Sequence, residues 1–462
     1  LNLSISLFFY IEHDIVFSSS IAETFINTNS SETVGMLSYN KYYVFFYIFS
    51  FILYFYLIHK STHNFNIKTT KVSLISIVFL IILIPIYKNS QIREDNKTKL
   101  LAEYTLLNTP FYNAAALVRT FHENRQIKKI ASHPVNYNYQ KKDDKTDTYI
   151  LIIGESVRRD HMEIYGYPHS TTPNLVKEKE NIALFNQAYS PAPVTILSVP
   201  ISLSNIELTQ LQDKHHYADN IISLANHAGF ETYWLSNQGK ASQKTSVISV
   251  IANMAQNKKW NESIGYDEEL LPFLDKALND KSTKKKLIVL HTYGSHEPAC
   301  NRFPNNELKD FTQQEDDNCY DSSIAYTDKL IGKIIERVKD KSASLLYFSD
   351  HALQRLDKKG EIRYHHGVNS PRKEAYNIPL FIWYSSLDSK PNIAKNALNN
   401  AYSTADNYWL LSDWLGLEHN NSKSCYSPLS ECYQEKSPIM VIDGNKHLLN
   451  YNLLKSEEQE PQ

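Results

Sequence analysis

Residues 149–161, YILIIGESVRRDH, decide the reading of the fold. Apolar positions run without a polar break from Tyr149 to Ile153 and stop at Gly154. A strand without alternation is buried on both faces, as happens in a parallel sheet covered by helices on each side. The pattern returns at 231–235 (ETYWL), 287–291 (LIVLH), 344–348 (SLLYF) and 378–384 (IPLFIWY), with helical patterns at 217–228, 267–279 and 322–339 between the strands. Such alternation predicts an α/β domain whose mostly parallel sheet is sandwiched by helices.

In sheets of this kind ligands sit beyond the carboxyl ends of the strands. There the chain places Glu155 after YILII, His296 after LIVLH, and Asp350 with His351 after SLLYF. Any one of these is most simply a capping or surface residue. Three strand ends that deliver carboxylates and imidazoles to one edge favour a site for zinc or manganese. Ser156 does not read as a hydrolase nucleophile, because GESVR has Arg158 where the G-x-S-x-G elbow needs its second glycine. His215 and Asp219, four apart, read as a helical pair.

Composition narrows the classes. The 462 residues hold 48 basic and 50 acidic side chains, a net charge of −2, which gives no reason to expect a nucleic-acid partner. With 42% hydrophobic and 21% charged residues the chain is no disordered polymer. Two runs, 42–58 (YYVFFYIFSFILYFYLI) and 72–87 (VSLISIVFLIILIPIY), are apolar all round and flanked by Lys41, Lys60, Lys71 and Lys88. They read as short transmembrane helices rather than core helices. Lys60, Lys68 and Lys71 in the connection put it in the cytoplasm and residues beyond 88 on the outer face. No basic segment precedes the apolar residues near the start, so no signal peptide is expected. Cys300, Cys319, Cys425 and Cys432 form no CxxC pair, which favours two local disulfides in an oxidising compartment, their pairing left open. The expected organisation is a membrane region over 1–90, a helical connector over 91–147, an external α/β domain over 148–445 and a tail over 446–462.

Four runs carry a resemblance: GESVRRDHMEIYGYPHSTTPNL (154–175), TILSVPISLS (195–204), LHTYGSHEPA (290–299) and FSDHALQRLDKKGEIRYHHG (348–367). In order and spacing they resemble the sulfatase-like phosphoethanolamine transferases of the alkaline phosphatase superfamily. These are bacterial inner-membrane enzymes with a periplasmic catalytic domain, and the mobile colistin-resistance enzymes are among them. The resemblance covers roughly residues 20–445. Family members usually have five membrane helices, so it implies that this chain carries the last two and lacks the first three.

The resemblance implies a catalytic zinc held by Glu155, Thr195, Asp350 and His351, with Thr195 as the nucleophile. It implies contacts from His296 and His366 to the transferred headgroup or to a second zinc, and a headgroup contact from Asn237. The implied donor is phosphatidylethanolamine. The implied acceptor is a lipopolysaccharide (lipid A, Kdo or core heptose) or another periplasmic glycan, and modification of lipid A would confer polymyxin resistance. A threonine hydroxyl is a poor nucleophile at neutral pH, and an adjacent divalent cation remedies that. Thr195 also stands where a helix can start, although Pro200 interrupts the pattern; free N–H groups there suit phosphoryl oxygens.

DHALQRLDKKGE departs from the family's DHGESLGE, and both His365 and His366 precede Gly367; His366, abutting the glycine, is taken, with His365 as its competitor. A true sulfatase would need a C/S-x-P-x-R signature, and Ser198-Val199-Pro200-Ile201-Ser202 lacks its arginine. The rival readings are a phosphoglycerol transferase or another phosphotransferase or hydrolase of the superfamily, and an inactive membrane-anchored binding protein.

Overall fold

The structure is a computed structural model. It describes residues 129–457, apart from 143–144, 239–245, 263–264, 283, 313, 359–360, 369–370, 387–392 and 394, and before them only Phe49, Ile52, Leu53, Tyr56 and Ile127. The chain divides into two compact units, Leu1–Glu123 and Asn124–Gln462. The expected membrane span 72–87 lies outside the described residues; of 42–58 only the four named positions are described, and they are helical. Among the described residues no helix is long and apolar enough to cross a membrane.

The second unit is built on a seven-stranded sheet. Its strands are β1 (Thr148–Gly154), β2 (Ile182–Leu184), β3 (Glu231–Ser236), β4 (Asn257–Trp260), β5 (Lys286–His291) and β6 (Ala343–Ser349), then β9 (Leu380–Tyr384) after a hairpin of β7 (Gln354–Lys358) and β8 (Glu361–His365). The spatial order is β2-β9-β6-β1-β5-β3-β4. Strand β1 pairs parallel with β5 and β6, and β3 pairs parallel with β5 and β4. Strand β9 is antiparallel to both β6 and β2, so the sheet is mixed rather than uniformly parallel. The cause is the connection: a parallel neighbour needs a crossover, whereas the chain between β6 and β9 forms the hairpin and turns back from the same sheet end.

The unbroken apolar strands divide two cores. Tyr149, Leu151 and Ile153 of β1 face one, with Val289 and Phe348; Ile150 and Ile152 face the other, with Leu290 and Tyr347. Helices α2 (Thr195–Leu203), α3 (Ile221–His227), α4 (Val247–Asn253) and α7 (Asn407–Trp414) bury residues in the first core. Helices α1 (Pro173–Lys177), α5 (Leu271–Leu278) and α6 (Glu315–Val338) do so in the second. Capping boxes start α3 and α4, through Asn220 with Ser223 and Ser246 with Ser249. Glu315, Asp316 and Asp317 open α6 and complement its dipole.

The polar stretch before β1 is not loose throughout. Tyr139–Lys141 pairs antiparallel with Leu417–His419, and the hydroxyls of Tyr137 and Tyr139 reach Ser223 Oγ (2.6 Å) and His227 Nδ1 (2.9 Å). The sulfurs pair as Cys300–Cys319 and Cys425–Cys432.

Candidate active site

Because β1, β5 and β6 are parallel, their carboxyl ends open on one edge. The turns beyond them are tied together: Asp350 N donates to Gly154 O (3.0 Å), Thr292 N to Ile153 O (3.1 Å) and Ser295 N to Glu155 O (2.9 Å). Gly294, at φ +43°, lies so close that a Cβ would stand 2.6 Å from Glu155 O; only glycine fits both the conformation and the space.

Four of the expected residues meet at this edge. Thr195 Oγ1 donates to Glu155 Oε2 at 3.0 Å and lies 3.2 Å from His351 Nε2. That imidazole nitrogen is 3.3 Å from Glu155 Oε1 and 3.5 Å from Asp350 Oδ2. His351 Nδ1 donates to Ala352 O at 3.0 Å, which leaves Nε2 facing the carboxylates. Asp350 Oδ1 receives Ser156 N (3.1 Å) and His351 N (2.7 Å), while Asp350 Oδ2 is buried without a hydrogen-bond partner. Thr195 opens α2, which continues through Pro200, and Ser198 Oγ one turn on donates to Asp350 O.

The electrostatics call for a cation. Burial alone would raise the Glu155 carboxyl, but the His351 hydrogen bond and charge outweigh it and hold Glu155 well below the usual carboxylate range. Asp350 is driven up, by burial first and then by the charge of Glu155. Burial opposes a charge on His351, yet Asp350 and Glu155 raise it to about 9. Two buried carboxylates thus crowd one imidazole nitrogen, and Asp350 Oδ2 has no hydrogen-bond partner. The set of carboxylate oxygens, one imidazole nitrogen and a hydroxyl fits zinc, and a zinc ion here would be held by Glu155, Thr195, Asp350 and His351.

His366 joins the group: one ligand atom each from Glu155, His351 and His366 lie within 4.8 Å of one another. Its ring centroid is 4.8 Å from that of His351 and 5.8 Å from that of His296. Burial, then the charges of His351 and His296, push His366 well below the usual imidazole range. His365 turns elsewhere: Gln354 Nε2 donates to its Nε2 at 3.2 Å and its Nδ1 donates to His366 O at 3.1 Å. His296 stacks on Tyr293 at 4.8 Å and donates from Nδ1 to Glu297 O at 2.7 Å.

Asn237, expected as a headgroup contact, is buried and hydrogen-bonded within the fold. Its Nδ2 donates to Asp267 Oδ1 (2.7 Å) and Gly265 O (2.9 Å), and its Oδ1 receives Asn261 Nδ2 (2.7 Å) and Gly265 N (3.3 Å). Fully buried and with both amide atoms engaged, it supports Asp267, whose carboxylate receives the N–H groups of Tyr293 and Gly294, each at 2.8 Å. Asn237 therefore shapes the His296 turn from behind.

Sequence reasoning missed three supports. Ser156 Oγ donates to Glu155 Oε1 at 2.6 Å; Tyr320 OH donates to Ser156 O at 2.6 Å and receives Arg158 N at 2.9 Å; and Ser198 reaches Asp350. Only Ser198 had a signal, its i+3 spacing from Thr195. Glu297 was missed as well: its residue is half-buried, its Oε1 is shielded without a partner, and burial pushes its carboxyl up to about 8 against the charge of His351.

Comparison with known proteins joins this geometry to a lineage. A sulfatase family model matches residues 147–417, and a model for the N-terminal domain of transferase YhbX matches residues 1–131. The phosphoethanolamine transferase EptC of Escherichia coli strain K12 is 25% identical over 74% of this chain and 63% of its own length. The crystal structure of its C-terminal periplasmic domain superposes with a TM-score of 0.64 at 25% identity, covering 71% of this chain and 98% of that domain. The chain belongs to the sulfatase-like phosphoethanolamine transferase family. YhbX of E. coli K12, a transferase by name without a stated substrate, is 36% identical over 99% of this chain and 84% of its own length. The integral membrane lipooligosaccharide phosphoethanolamine transferase A of Neisseria meningitidis is similar at a TM-score of 0.64 and 20% identity, in a match that covers 93% of this chain and 83% of that protein. The EptC domain has also been solved in complex with Zn.

Proposed function

We propose that this chain is a zinc-dependent phosphoethanolamine transferase of the bacterial inner membrane, with its catalytic unit in the periplasm. It takes the group from phosphatidylethanolamine, holds it on Thr195 as a phosphothreonine, and passes it to a lipopolysaccharide acceptor: lipid A, Kdo or a core heptose. The observation that carries the reading is the seat of Thr195 Oγ1, between Glu155 Oε2 and His351 Nε2, the nitrogen that Asp350 Oδ2 faces at 3.5 Å without a hydrogen bond. The Zn complex of EptC supports the choice of metal.

Zinc, when bound, supplies a positive charge that lowers the pKa of an adjacent hydroxyl and neutralises phosphoryl oxygens. Glu155 Oε2 orients the Thr195 hydroxyl through the bond it accepts, and Oγ1 gives up its proton to solvent as it attacks phosphorus. The bond from phosphorus to the diacylglycerol oxygen breaks, and that oxygen leaves as a hydroxyl after taking up a proton. His296 and His366, whose rings neighbour each other, flank the phosphoryl group. In the second half-reaction an acceptor hydroxyl attacks the same phosphorus and gives up its proton, the bond from phosphorus to Thr195 Oγ1 breaks, and Oγ1 takes a proton back to restore the hydroxyl. Positioning and charge neutralisation dominate such transfers, and these residues supply both.

The test is mass spectrometry of outer-membrane glycolipids and of the Thr195 peptide in cells producing the wild type or Thr195→Ala. Added phosphoethanolamine on glycolipid and on Thr195, absent from the variant, is expected. An unmodified Thr195 peptide in wild type incubated with phosphatidylethanolamine overturns the reading.

A further inference from the structure

One carboxylate beside the site takes no part in the chemistry above. Glu297 follows His296 directly, and its main-chain oxygen receives His296 Nδ1 at 2.7 Å. Its side-chain Oε1 is shielded from solvent with no hydrogen-bond partner, and His351 is the charge that acts on it. Of the other acids at this edge, Asp350 also keeps an oxygen without a hydrogen-bond partner, Oδ2, but that oxygen faces His351 Nε2 at 3.5 Å, within the set that would hold zinc. Glu155 and Asp350 face Thr195 and His351, and Asp267 is saturated by Asn237, Tyr293 N and Gly294 N. A shielded carboxylate oxygen with nothing to bind is costly, and an arriving cation removes that cost.

The transferred group provides one. When phosphorus is held at Thr195, the ammonium of phosphoethanolamine projects two methylenes beyond it and loses water on entering the site. An ammonium is best matched by a charge-assisted bond to a carboxylate. The stack of His296 on Tyr293 at 4.8 Å fixes the turn that carries Glu297, and Cys300–Cys319 fastens the following segment to α6.

We propose that Glu297 receives the ammonium of the donor headgroup and so selects ethanolamine over the uncharged glycerol headgroup. This rests on the phosphoethanolamine reading of the site. Glu297 is a specificity residue for the first half-reaction and leaves nucleophile and metal ligands untouched.

The experiment uses the full-length chain with vesicles containing phosphatidylethanolamine or phosphatidylglycerol, comparing wild type, Glu297→Gln and Glu297→Asp by the mass added to Thr195 and by zinc content. Glu297→Gln is expected to raise KM for phosphatidylethanolamine at least about tenfold and reduce the preference over phosphatidylglycerol by a similar factor, with kcat within a few-fold and zinc unchanged. Glu297→Asp, which keeps the charge, should recover part of the preference. Unchanged KM and preference in Glu297→Gln, with wild-type Thr195 still labelled, overturn the assignment while leaving the transferase reading intact. Zinc loss in Glu297→Gln overturns it too, by making Glu297 a metal ligand. Wild-type Thr195 that stays unlabelled overturns the transferase reading itself. Should the variants misfold, inhibition of the wild type decides: O-phosphoethanolamine is expected to inhibit more strongly than glycerol phosphate, and equal potency overturns the inference.

Discussion

Replacing Tyr320 by Phe removes one oxygen and tests how the site is held. The Tyr320 ring is fully buried on α6, and its hydroxyl donates to Ser156 O at 2.6 Å while receiving Arg158 N at 2.9 Å. It therefore ties both sides of the turn that leaves β1, where Ser156 sits at φ 63°, a conformation that residues with a side chain adopt only under outside constraint. Phenylalanine would leave a buried carbonyl and a buried N–H unsatisfied, each costing about 1–3 kcal/mol, so the loss should be about 2–6 kcal/mol. The effect reaches the proposed metal ligands because Ser156 supports Asp350 Oδ1 from its N–H (3.1 Å) and Glu155 Oε1 from its hydroxyl (2.6 Å). Losing an outer partner of a metal ligand typically reduces affinity by about 10–100-fold; one bond further out, about tenfold is expected. Urea unfolding in the presence of a chelator measures the first quantity, and zinc titration against a competing chelator the second. A loss under about 0.5 kcal/mol together with unchanged zinc affinity would refute the view that Tyr320 constrains this turn.

The two adjacent histidines should separate cleanly: His366→Ala should slow modification of Thr195 on the order of 100-fold, whereas His365→Ala, whose ring points to Gln354, should stay within about threefold, as read by intact-protein mass spectrometry. Asp328, buried where it receives Asn174 N and Leu175 N at 3.0 Å each, is raised by that burial to about 6. Its folded value exceeds its unfolded value, so the native state holds the extra proton at low pH, and stability should fall by about 3 kcal/mol as pH rises from about 4 through 6. Asp328→Asn should flatten this part of the profile; parallel pH profiles for the two proteins would contradict it. Cys300→Ser with Cys319→Ser opens a loop of 19 residues and should cost about 3 kcal/mol in chemical unfolding, while raising KM for the donor by loosening the segment after His296; undiminished stability would argue against a structural role for this bridge.

Much of the site could be read before any coordinates. Unbroken apolar runs at 149–153, 287–291 and 344–348 became adjacent parallel strands, and Glu155, Asp350 and His351 meet because they follow those strands directly. Thr195 came from the resemblance alone, since nothing in local pattern ties residue 195 to residue 155. Asn237 came from the same source, but the structure gives its amide four partners inside the fold, a role that sequence cannot distinguish from ligand binding. The reversal of β9 escaped because an apolar run records burial and not direction. Strand β4, NKKW, escaped because an edge strand carries only one buried residue. Helix α6 begins at Glu315, seven residues before the predicted start, because its first turns are polar: Asp317 and Asp321 are buried against Arg355, Tyr364, His161 and Tyr167 far away in the chain, and Asn318 against Phe311 and Thr312 just before the helix.

By itself the sequence determined the class of the domain and the strand ends at which chemistry could occur, since hydrophobic periodicity and the residue after a strand are local properties. Only the tertiary structure decided that Asp350 Oδ2 is left without a hydrogen-bond partner, that His366 and not His365 turns toward His351, and that Glu297 Oε1 is shielded with no hydrogen bond. Those are facts about distance and desolvation between residues up to about 200 positions apart, and they arise only when the sheet closes and water is removed from between its ends.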